Sequence, residues 1–447
     1  MKIAICSDAY LLQSNTAASH AFVLEKGLAA LGHNVKVIAS DLESDVFYEE
    51  QELTALPARP SQNSYGQSAR LFSISKGIAA LDAFSPDIIQ VETLTLLGLK
   101  AIRYAKKRNI PVVTTIFGLS EALGNTFSGI QAPLCSAFYK YIAKNILGGS
   151  DLVTAFTKKL ESELLAIGVE KKITEIPCCV DSGLFGPDTA DPEKVQKYRM
   201  KLGLGTTKVG IAYAGPLDDT SGLETLMEIW AGSVKPADNL QLIVAGAGMH
   251  PDELTEMAKI RGVTRQLSFA GKVEHEDMPA FYRACDAFIS TSLSTAVHMS
   301  PVEAMACGLP VLLKQGCSNA DFIQEGRNGF TFTNANQLKK ILLSLAQLDT
   351  SGKRLLRKLV SSTVRNLDEL TEAEALENLY RSLRSGGRGI SRTVQPPVPR
   401  QPEKDDSFFD YEEAEAQRSS KHGKILPIRP QSPAEKGFGD DYFIGGE

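Results

Sequence analysis

Short apolar runs alternate along this chain with longer amphipathic runs, and the alternation begins again after residue 190. The strand-like runs of the first half are KIAIC, NVKVIAS, DIIQV, PVVTTI and DLVTAF. Those of the second half are KVGIAYAG, LQLIVAGAG, QLSFAG, AFISTS and LPVLLK. Strands separated by helical segments are typical of parallel βαβ units. The pattern therefore predicts an α/β fold class with two Rossmann-like, doubly wound parallel sheets.

The joint between the two halves is predicted near IPCCVDSGLFGP, residues 176 to 187. A chain of 447 residues exceeds what one hydrophobic core usually supports, so two domains and an extra segment are expected. We predict an N-terminal domain over 1–175, a C-terminal domain over 176–385 and a tail over 386–447. Ligands of such sheets sit outside the carboxyl ends of the strands, in the cleft between the domains.

The tail is rich in Pro, Gly and charged residues and too poor in apolar residues to form a core, so we predict that it is disordered. Two acidic-aromatic clusters interrupt it: DDSFFDY with Phe408, Phe409 and Tyr411, and GDDYFIGG with Tyr442 and Phe443. Aromatic residues are depleted in simple linkers, which favours the hypothesis that the clusters dock on a protein partner. A solubilising tail without a partner is the alternative.

Net charge and cysteine spacing narrow the function classes. A formal net charge of −5 and a pI of about 5.8 argue against a general nucleic-acid binder. The seven cysteines include no C-x-x-C pair, so most are predicted to be buried thiols, the adjacent Cys178 and Cys179 included. No apolar run approaches twenty residues and no signal peptide is evident, which predicts a cytoplasmic protein.

One stretch leaves membrane contact open. SAFYKYIAKNILGG, residues 136 to 149, mixes aromatic and aliphatic residues with Lys140 and Lys144. This composition fits an interfacial helix that makes peripheral membrane contact. It fits a core helix with exposed lysines equally well.

A series of motifs in order carries a family resemblance. They are MKIAICSDAY, LEKGLAALGHNVKVIA, IPCCVDSGLF, IVAGAG, LSFAGKVEHEDMPAFYRACDAFISTS, VEAMACGLPVL and EGRNGFTF. Over roughly residues 1 to 385 the chain resembles glycosyltransferase family 4, the retaining enzymes of GT-B fold, and especially bacterial glucosyltransferases that act on diacylglycerol. The resemblance implies a UDP- or GDP-linked nucleotide sugar as ligand and a last helix, about 361 to 385, that returns to the first domain. It implies no cofactor and no metal.

The resemblance also implies where the donor would bind. In the family the donor nucleotide lies on the C-terminal domain, and the second Glu of a pair holds its ribose; Glu303 fills that position, at the start of a helix. The backbone of Gly271, Lys272 and Val273, at a strand end, would flank the base. The predicted donor-binding residues are Gly215, Gly246, Gly271, Lys272, Val273, His298 and Glu303.

Several positions depart from the family pattern where it contacts the sugar and the diphosphate. Thr295 stands where the family has the first Glu of the pair, and His298 stands where it has a glycine. Pro216 and Ser221 stand where it has the Arg and the Lys that bind the diphosphate. Charge-assisted hydrogen bonds contribute roughly 1.5–3 kcal/mol each, so losing two costs roughly 3–6 kcal/mol, on the order of a hundredfold to ten-thousandfold in rate or affinity.

The first domain departs in a similar way. Thr16 stands at a glycine of the loop after the first strand, and Thr114 and Phe117 occupy the positions around the histidine that the family carries after its fourth strand. No catalytic residue can be assigned from the sequence. Lys314, just past the PVLL strand, is a candidate compensating cation, as is Lys272.

Three functions follow from these residues. The first is a weak or inactive glycosyltransferase that acts as a binding or partner subunit. The second is an active glycosyltransferase with an unusual donor site and a lipid or glycan acceptor. A dinucleotide-binding oxidoreductase is disfavoured, because no G-x-G-x-x-G follows the first strand.

Overall fold

The computed structural model describes residues 1–7, 16–40, 53–56, 58–59, 71–72, 74–92, 94–118, 141, 143–166, 169, 173–217, 221–292 and 297–385. The tail clusters, Thr295, and the two acidic residues Asp218 and Asp219 lie outside these residues.

The first sheet has seven parallel strands in the order β3-β2-β1-β6-β7-β8-β9. Its strands are β1 (Lys2–Cys6), β2 (Asn34–Ser40), β3 (Leu53–Leu56), β6 (Ile88–Val91), β7 (Val112–Ile116), β8 (Leu152–Ala155) and β9 (Ile173–Glu175). A short antiparallel pair, β4 (Ala58–Arg59) and β5 (Leu71–Phe72), stands apart from it. Strands β6, β7 and β8 are buried at every position, as expected for a parallel sheet covered on both faces.

The second sheet has six parallel strands in the order β12-β11-β10-β13-β14-β15. Its strands are β10 (Val209–Ala214), β11 (Leu240–Ala245), β12 (Leu267–Gly271), β13 (Ala287–Ser290), β14 (Val311–Lys314) and β15 (Gly329–Phe332). Together the two sheets confirm the predicted fold class. Strand order reverses beside β1 in the first sheet and beside β10 in the second, which places ligand crevices at the carboxyl ends of β1 and β6 and of β10 and β13.

Helices cover the sheets. They are α1 (Thr16–Ala30), α2 (Ile74–Phe84), α3 (Leu96–Arg108), α4 (Lys158–Ala166), α5 (Pro192–Lys201), α6 (Leu223–Ser233), α7 (Pro251–Ile260), α8 (Met278–Ala284), α9 (Ser300–Ala306), α10 (Ala335–Ala346), α11 (Thr350–Thr363) and α12 (Glu369–Arg384). Asp191, Asn334, Asp349 and Asp368 cap α5, α10, α11 and α12, each with a side-chain oxygen that accepts a backbone N–H of the first turn.

The last helix, α12, packs against α1 of the first sheet's layer. Gly27 in α1 permits the close approach, because a Cβ there would lie 2.2 Å from the carbonyl oxygen of Glu369. Lys26 of α1 bonds Asp181, in the predicted joint between the two halves of the chain, at 2.5 Å, and Glu369, the first residue of α12, at 3.2 Å. Both segments that connect the two halves are therefore held against α1. The domain limits themselves, 175/176 and 385/386, stay predictions.

The segment 143–149 is helical, and its apolar residues Ile146 and Leu147 belong to the core while Lys144 is exposed. This packing favours the core-helix interpretation for that part. Phe138, Tyr139 and Lys140 lie outside the described residues. Among the described helices, none has the length and apolar composition needed to cross a membrane.

Candidate functional site

A backbone cluster joins the carboxyl ends of β10, β11 and β12. Leu217 N–H donates to Ala247 O at 2.9 Å, and Gly246 N–H donates to Gly271 O at 3.0 Å. A Cβ on Gly246 would lie 2.0 Å from Gly215 O, so this position requires glycine for packing alone. The structure thus brings together Gly215, Gly246 and Gly271 of the predicted set.

Lys272 and Val273 continue from this cluster. The Lys272 ammonium lies 3.3 Å from the Glu274 carboxylate, and both side chains are about half exposed. A cation already paired with a surface carboxylate contributes little net charge to a neighbouring ligand. Lys272 is therefore a weaker candidate for phosphate binding than its position in the sequence suggested.

Glu303 lies in the first turn of α9 and keeps only 7% of its surface exposed. The hydroxyl of Tyr282, from α8, donates to its Oε2 at 3.0 Å. In the described part of the chain, the side-chain hydrogen bond to this carboxylate is the one on Oε2. Burial raises the pKa of Glu303 to about 7, and the bond from Tyr282 opposes that rise. The carboxylate is thus held on one oxygen while the other remains available to a ligand.

Changing Glu303 to Gln should stabilise the protein above neutral pH. Because the folded-state pKa is raised, the unfolding free energy of the unmodified chain falls as pH rises from about 4.5 to about 7, by about 3 kcal/mol in total. Gln retains an acceptor for Tyr282 but cannot ionise. Urea unfolding should give equal stabilities at pH 4.5 and a variant about 3 kcal/mol more stable at pH 8. The exposed Glu374→Gln serves as control, and equal differences at both pH values would contradict the prediction.

His298 is held by a neighbour that the sequence did not point to. Asn319 accepts from the His298 N–H at 3.2 Å and donates to its carbonyl oxygen at 2.8 Å. Asn319 is buried, just after the loop that follows β14. The two bonds fix the backbone that the resemblance places beside the diphosphate.

The two positions where the family has Arg and Lys lie between β10 and α6. Pro216 is half-buried, and its carbonyl oxygen accepts from the Tyr213 hydroxyl at 2.9 Å. Ser221 is buried just before α6, and its Oγ accepts from the Leu223 N–H at 3.3 Å. Lys314 ends β14 and is half-buried, and none of the ion pairs in the described part of the chain uses its ammonium group.

The segments just before α9 and just after β14 make direct contacts with the N-terminal half of the chain. The Val297 N–H donates to Phe117 O at 2.7 Å, and the Cys178 and Met299 sulfurs lie 3.3 Å apart. Lys159 of α4 donates to Gly316 O at 2.6 Å. The Val297 amide is consequently used in an interdomain bond.

A buried charge cluster lies behind Phe117, and the sequence reasoning missed it. His20 of α1 bonds Glu92, just after β6, at 2.8 Å through Nδ1 and bonds Glu372 of α12 through Nε2. Phe117 and Phe156 place their rings edge-on to the imidazole at 5.0 Å and 5.2 Å. Burial opposes a charged imidazole, but the two carboxylates outweigh it and raise the pKa of His20 to about 10.

Both nitrogens of His20 are engaged and the residue has no exposed surface, so it does not replace the family's histidine at Phe117 as a proton acceptor. Thr114 is likewise a core residue, since its hydroxyl hydrogen-bonds Ser150 at 2.6 Å. A polar residue within the apolar face of α1 was the one sequence signal for the cluster.

Two family models match consecutive parts of the chain. The model for Glycosyltransferase Family 4 matches residues 17–184, and the model for Glycosyl transferases group 1 matches residues 194–356. The chain belongs to glycosyltransferase family 4.

Curated relatives and solved structures are similar to this chain over most of its length. An alpha-monoglucosyldiacylglycerol synthase of Acholeplasma laidlawii is 23% identical over 78% of this chain and 88% of its own length. One from Streptococcus pneumoniae is 24% identical over 70% of each chain. In fold, the chain is similar to sucrose-phosphate synthase from Thermosynechococcus elongatus (TM-score 0.68, 20% identity, 86% of this chain and 100% of that one). It is also similar to Anabaena HepE in complex with UDP-glucose (TM-score 0.65, 17% identity, 86% and 100%). The fold is therefore GT-B.

Proposed function

We propose that this chain is a glycosyltransferase family 4 protein that keeps a nucleoside pocket, transfers sugar slowly or not at all, and acts as a binding or partner subunit. The observation that carries the proposal is the loop after β10, where Pro216 and Ser221 supply no cation to a diphosphate. A diphosphate without cations lacks roughly 3–6 kcal/mol of charge-assisted bonding, which stabilises the leaving group as well as the ground state.

The interdomain bonds support the same proposal. A backbone amide in the loop before α9 would be a natural donor to a bound anion, but the Val297 N–H is bonded to Phe117 O. Binding a donor there would first have to break that bond. An apolar ring at Phe117 also supplies no proton acceptor on the first domain's side.

Glu303 supports the retained nucleoside pocket. A buried carboxylate whose ionisation costs stability is typical of a functional site, because nothing in packing requires a charge there. Its Oε1 is an acceptor suited to ribose hydroxyls.

Calorimetric titration tests the proposal. UDP, UDP-glucose and GDP-mannose should bind weakly, and the nucleoside alone should account for most of the affinity. Tight binding that depends on the diphosphate would contradict it.

The alternative is an active nucleotide-sugar-dependent glycosyltransferase with an unusual donor site and a lipid or glycan acceptor. The names of the relatives favour it, since two are synthases of a glucosylated diacylglycerol, and such an acceptor implies peripheral membrane contact. Lys314, half-buried at the carboxyl end of β14, is the cation this alternative needs. Lys314→Met should abolish nucleotide-sugar binding if the alternative holds and leave it nearly unchanged under our proposal.

The partner role assigns a use to the tail clusters, which lie outside the described residues. Aromatic anchors with adjacent carboxylates suit a partner with apolar pockets and a basic rim. Pull-down with the intact chain should recover a protein that is lost when Phe408, Phe409, Tyr442 and Phe443 are all changed to Ala. Equal recovery from both baits would rule out the docking role.

A further inference from the structure

The hydroxyl that bonds the Glu303 carboxylate belongs to Tyr282, which has no exposed surface. Its ring packs against Phe185 and Phe288, with centroids 6.3 Å and 6.2 Å away. A residue enclosed in this way cannot touch a ligand in the cleft. Whatever Tyr282 contributes to binding must pass through the group that its hydroxyl contacts.

That hydroxyl donates a hydrogen bond to Glu303 Oε2 at 3.0 Å. The Ser300 side chain interacts with the same hydroxyl and lowers the pKa of Tyr282, against the larger rise that burial causes. The bond to Oε2 therefore fixes the rotation of the carboxyl group, and the hydrogen bonds of the described residues leave Oε1 out.

We propose that Tyr282 is a positioning residue of the nucleotide pocket, whose hydroxyl holds Glu303 so that Oε1 faces the hydroxyl groups of a ribose. The proposal rests on the retained nucleoside pocket described above. It goes further in naming the group that orients the ribose acceptor and in predicting how nucleoside binding depends on pH.

The pH dependence follows from the groups around Glu303. In the described part of the chain, the titratable groups that interact with Glu303 are Tyr282 on α8, Cys307 just after α9, and Cys178 in the predicted joint, and the permanent cations Arg283 and Arg357 act on Cys307. Burial raises the pKa of both thiols and of the Tyr282 hydroxyl, so all three stay neutral near pH 7. Glu303 is thus the group of this set that ionises near neutral pH.

Tyr282→Phe removes the donor and keeps the ring in its packing. The buried carboxylate then loses its hydrogen bond, which favoured the ionised form, and its pKa rises further. A charge-assisted bond is worth about one to two pKa units, so at pH 7 the ionised fraction falls and the variant should bind uridine and UDP about fivefold to fiftyfold more weakly. Its affinity should recover towards that of the unmodified chain at pH 9.

The experiment is a titration of the full chain with uridine and with UDP between pH 6 and pH 9. Uridine carries no phosphate, so its pH profile reports Glu303 without the diphosphate. Tyr380→Phe is the matched control, since it removes another fully buried hydroxyl, which is bonded at 2.8 Å to Gln90 of β6 in the first sheet. We expect the binding midpoint to move upward by about one to two pH units in Tyr282→Phe and not to move in Tyr380→Phe.

Carbon-13 NMR of the Glu303 carboxyl in the ligand-free chain should show the same upward move. Ser300→Ala is a milder second variant, which should shift the midpoint in the same direction by less. Normal uridine and UDP binding with an unmoved midpoint in both variants would overturn the role of Tyr282 alone. No binding of either ligand by the unmodified chain would instead overturn the retained pocket, and the positioning role with it.

Discussion

Replacing Pro216 by Arg and Ser221 by Lys in the same chain should raise the affinity for UDP by about a hundredfold to ten-thousandfold. Both positions lie on the loop after β10, at the switch point of the second sheet, and Gly222, which follows, caps α6 at φ 72°. Two cations there would each form a charge-assisted bond with the diphosphate. Calorimetry with UDP measures the gain.

Uridine is the internal control for this double variant, because it has no phosphate and its affinity should not change. Gln347→Arg with Ser362→Lys is the matched charge control. It adds the same two charges at exposed positions. Gln347 lies beside Leu348, and Leu348 lines a surface pocket together with Pro310, which precedes the first residue of β14. Equal gains in the two double variants would mean that general electrostatic attraction, and not the site, is responsible. No gain in UDP affinity would contradict the account of the missing cations.

His20→Leu should destabilise the protein by about 3–5 kcal/mol at pH 7, because it leaves the Glu92 and Glu372 carboxylates buried without their cation. The pKa of His20 is raised to about 10, above its unfolded value of 6.5, so its contribution is complete below about pH 6.5 and is lost as pH rises through 10. The gap in unfolding free energy between the variant and the unmodified chain should therefore narrow from pH 7 to pH 10.

A double-mutant cycle separates charge from packing in this cluster. Gln at position 372 keeps an oxygen that can accept from His20 Nε2, and His20 keeps the Glu92 carboxylate, so Glu372→Gln alone should cost less than His20→Leu. If unpaired carboxylates cause the loss, adding Glu372→Gln to His20→Leu should restore part of the stability. Strictly additive effects would point to packing instead.

The sequence predicted the parts of the fold that are written in local patterns. Apolar runs identified ten strands, including β1 and β10 and both neighbours of each in the sheets. It missed β3, β4, β5, β9 and β15, which have two to four residues each and did not stand out in the alternation of strand-like and helical runs. The equally short β6, β8, β13 and β14 were found because each lies within a longer run that fits the alternation.

The site was predicted only where it depends on residues near one another in sequence. The position of Glu303 at the start of a helix could be read from SPVEAMACG. Its bond to Tyr282 arises from the packing of α8 on α9, and the His20–Glu372 contact joins residues 352 positions apart. Contacts of that kind are produced by tertiary packing and leave no local signal.

Turnover of a nucleotide sugar by the unmodified full chain is the most direct test of the central claim. Release of the nucleoside diphosphate should be measured from UDP-glucose and from GDP-mannose, with and without diacylglycerol vesicles. A typical enzyme turns over about ten times per second, so losing a factor of a hundred to ten thousand predicts roughly 0.1 to 0.001 per second or less. Turnover in the range of about 1–1000 per second would contradict the claim.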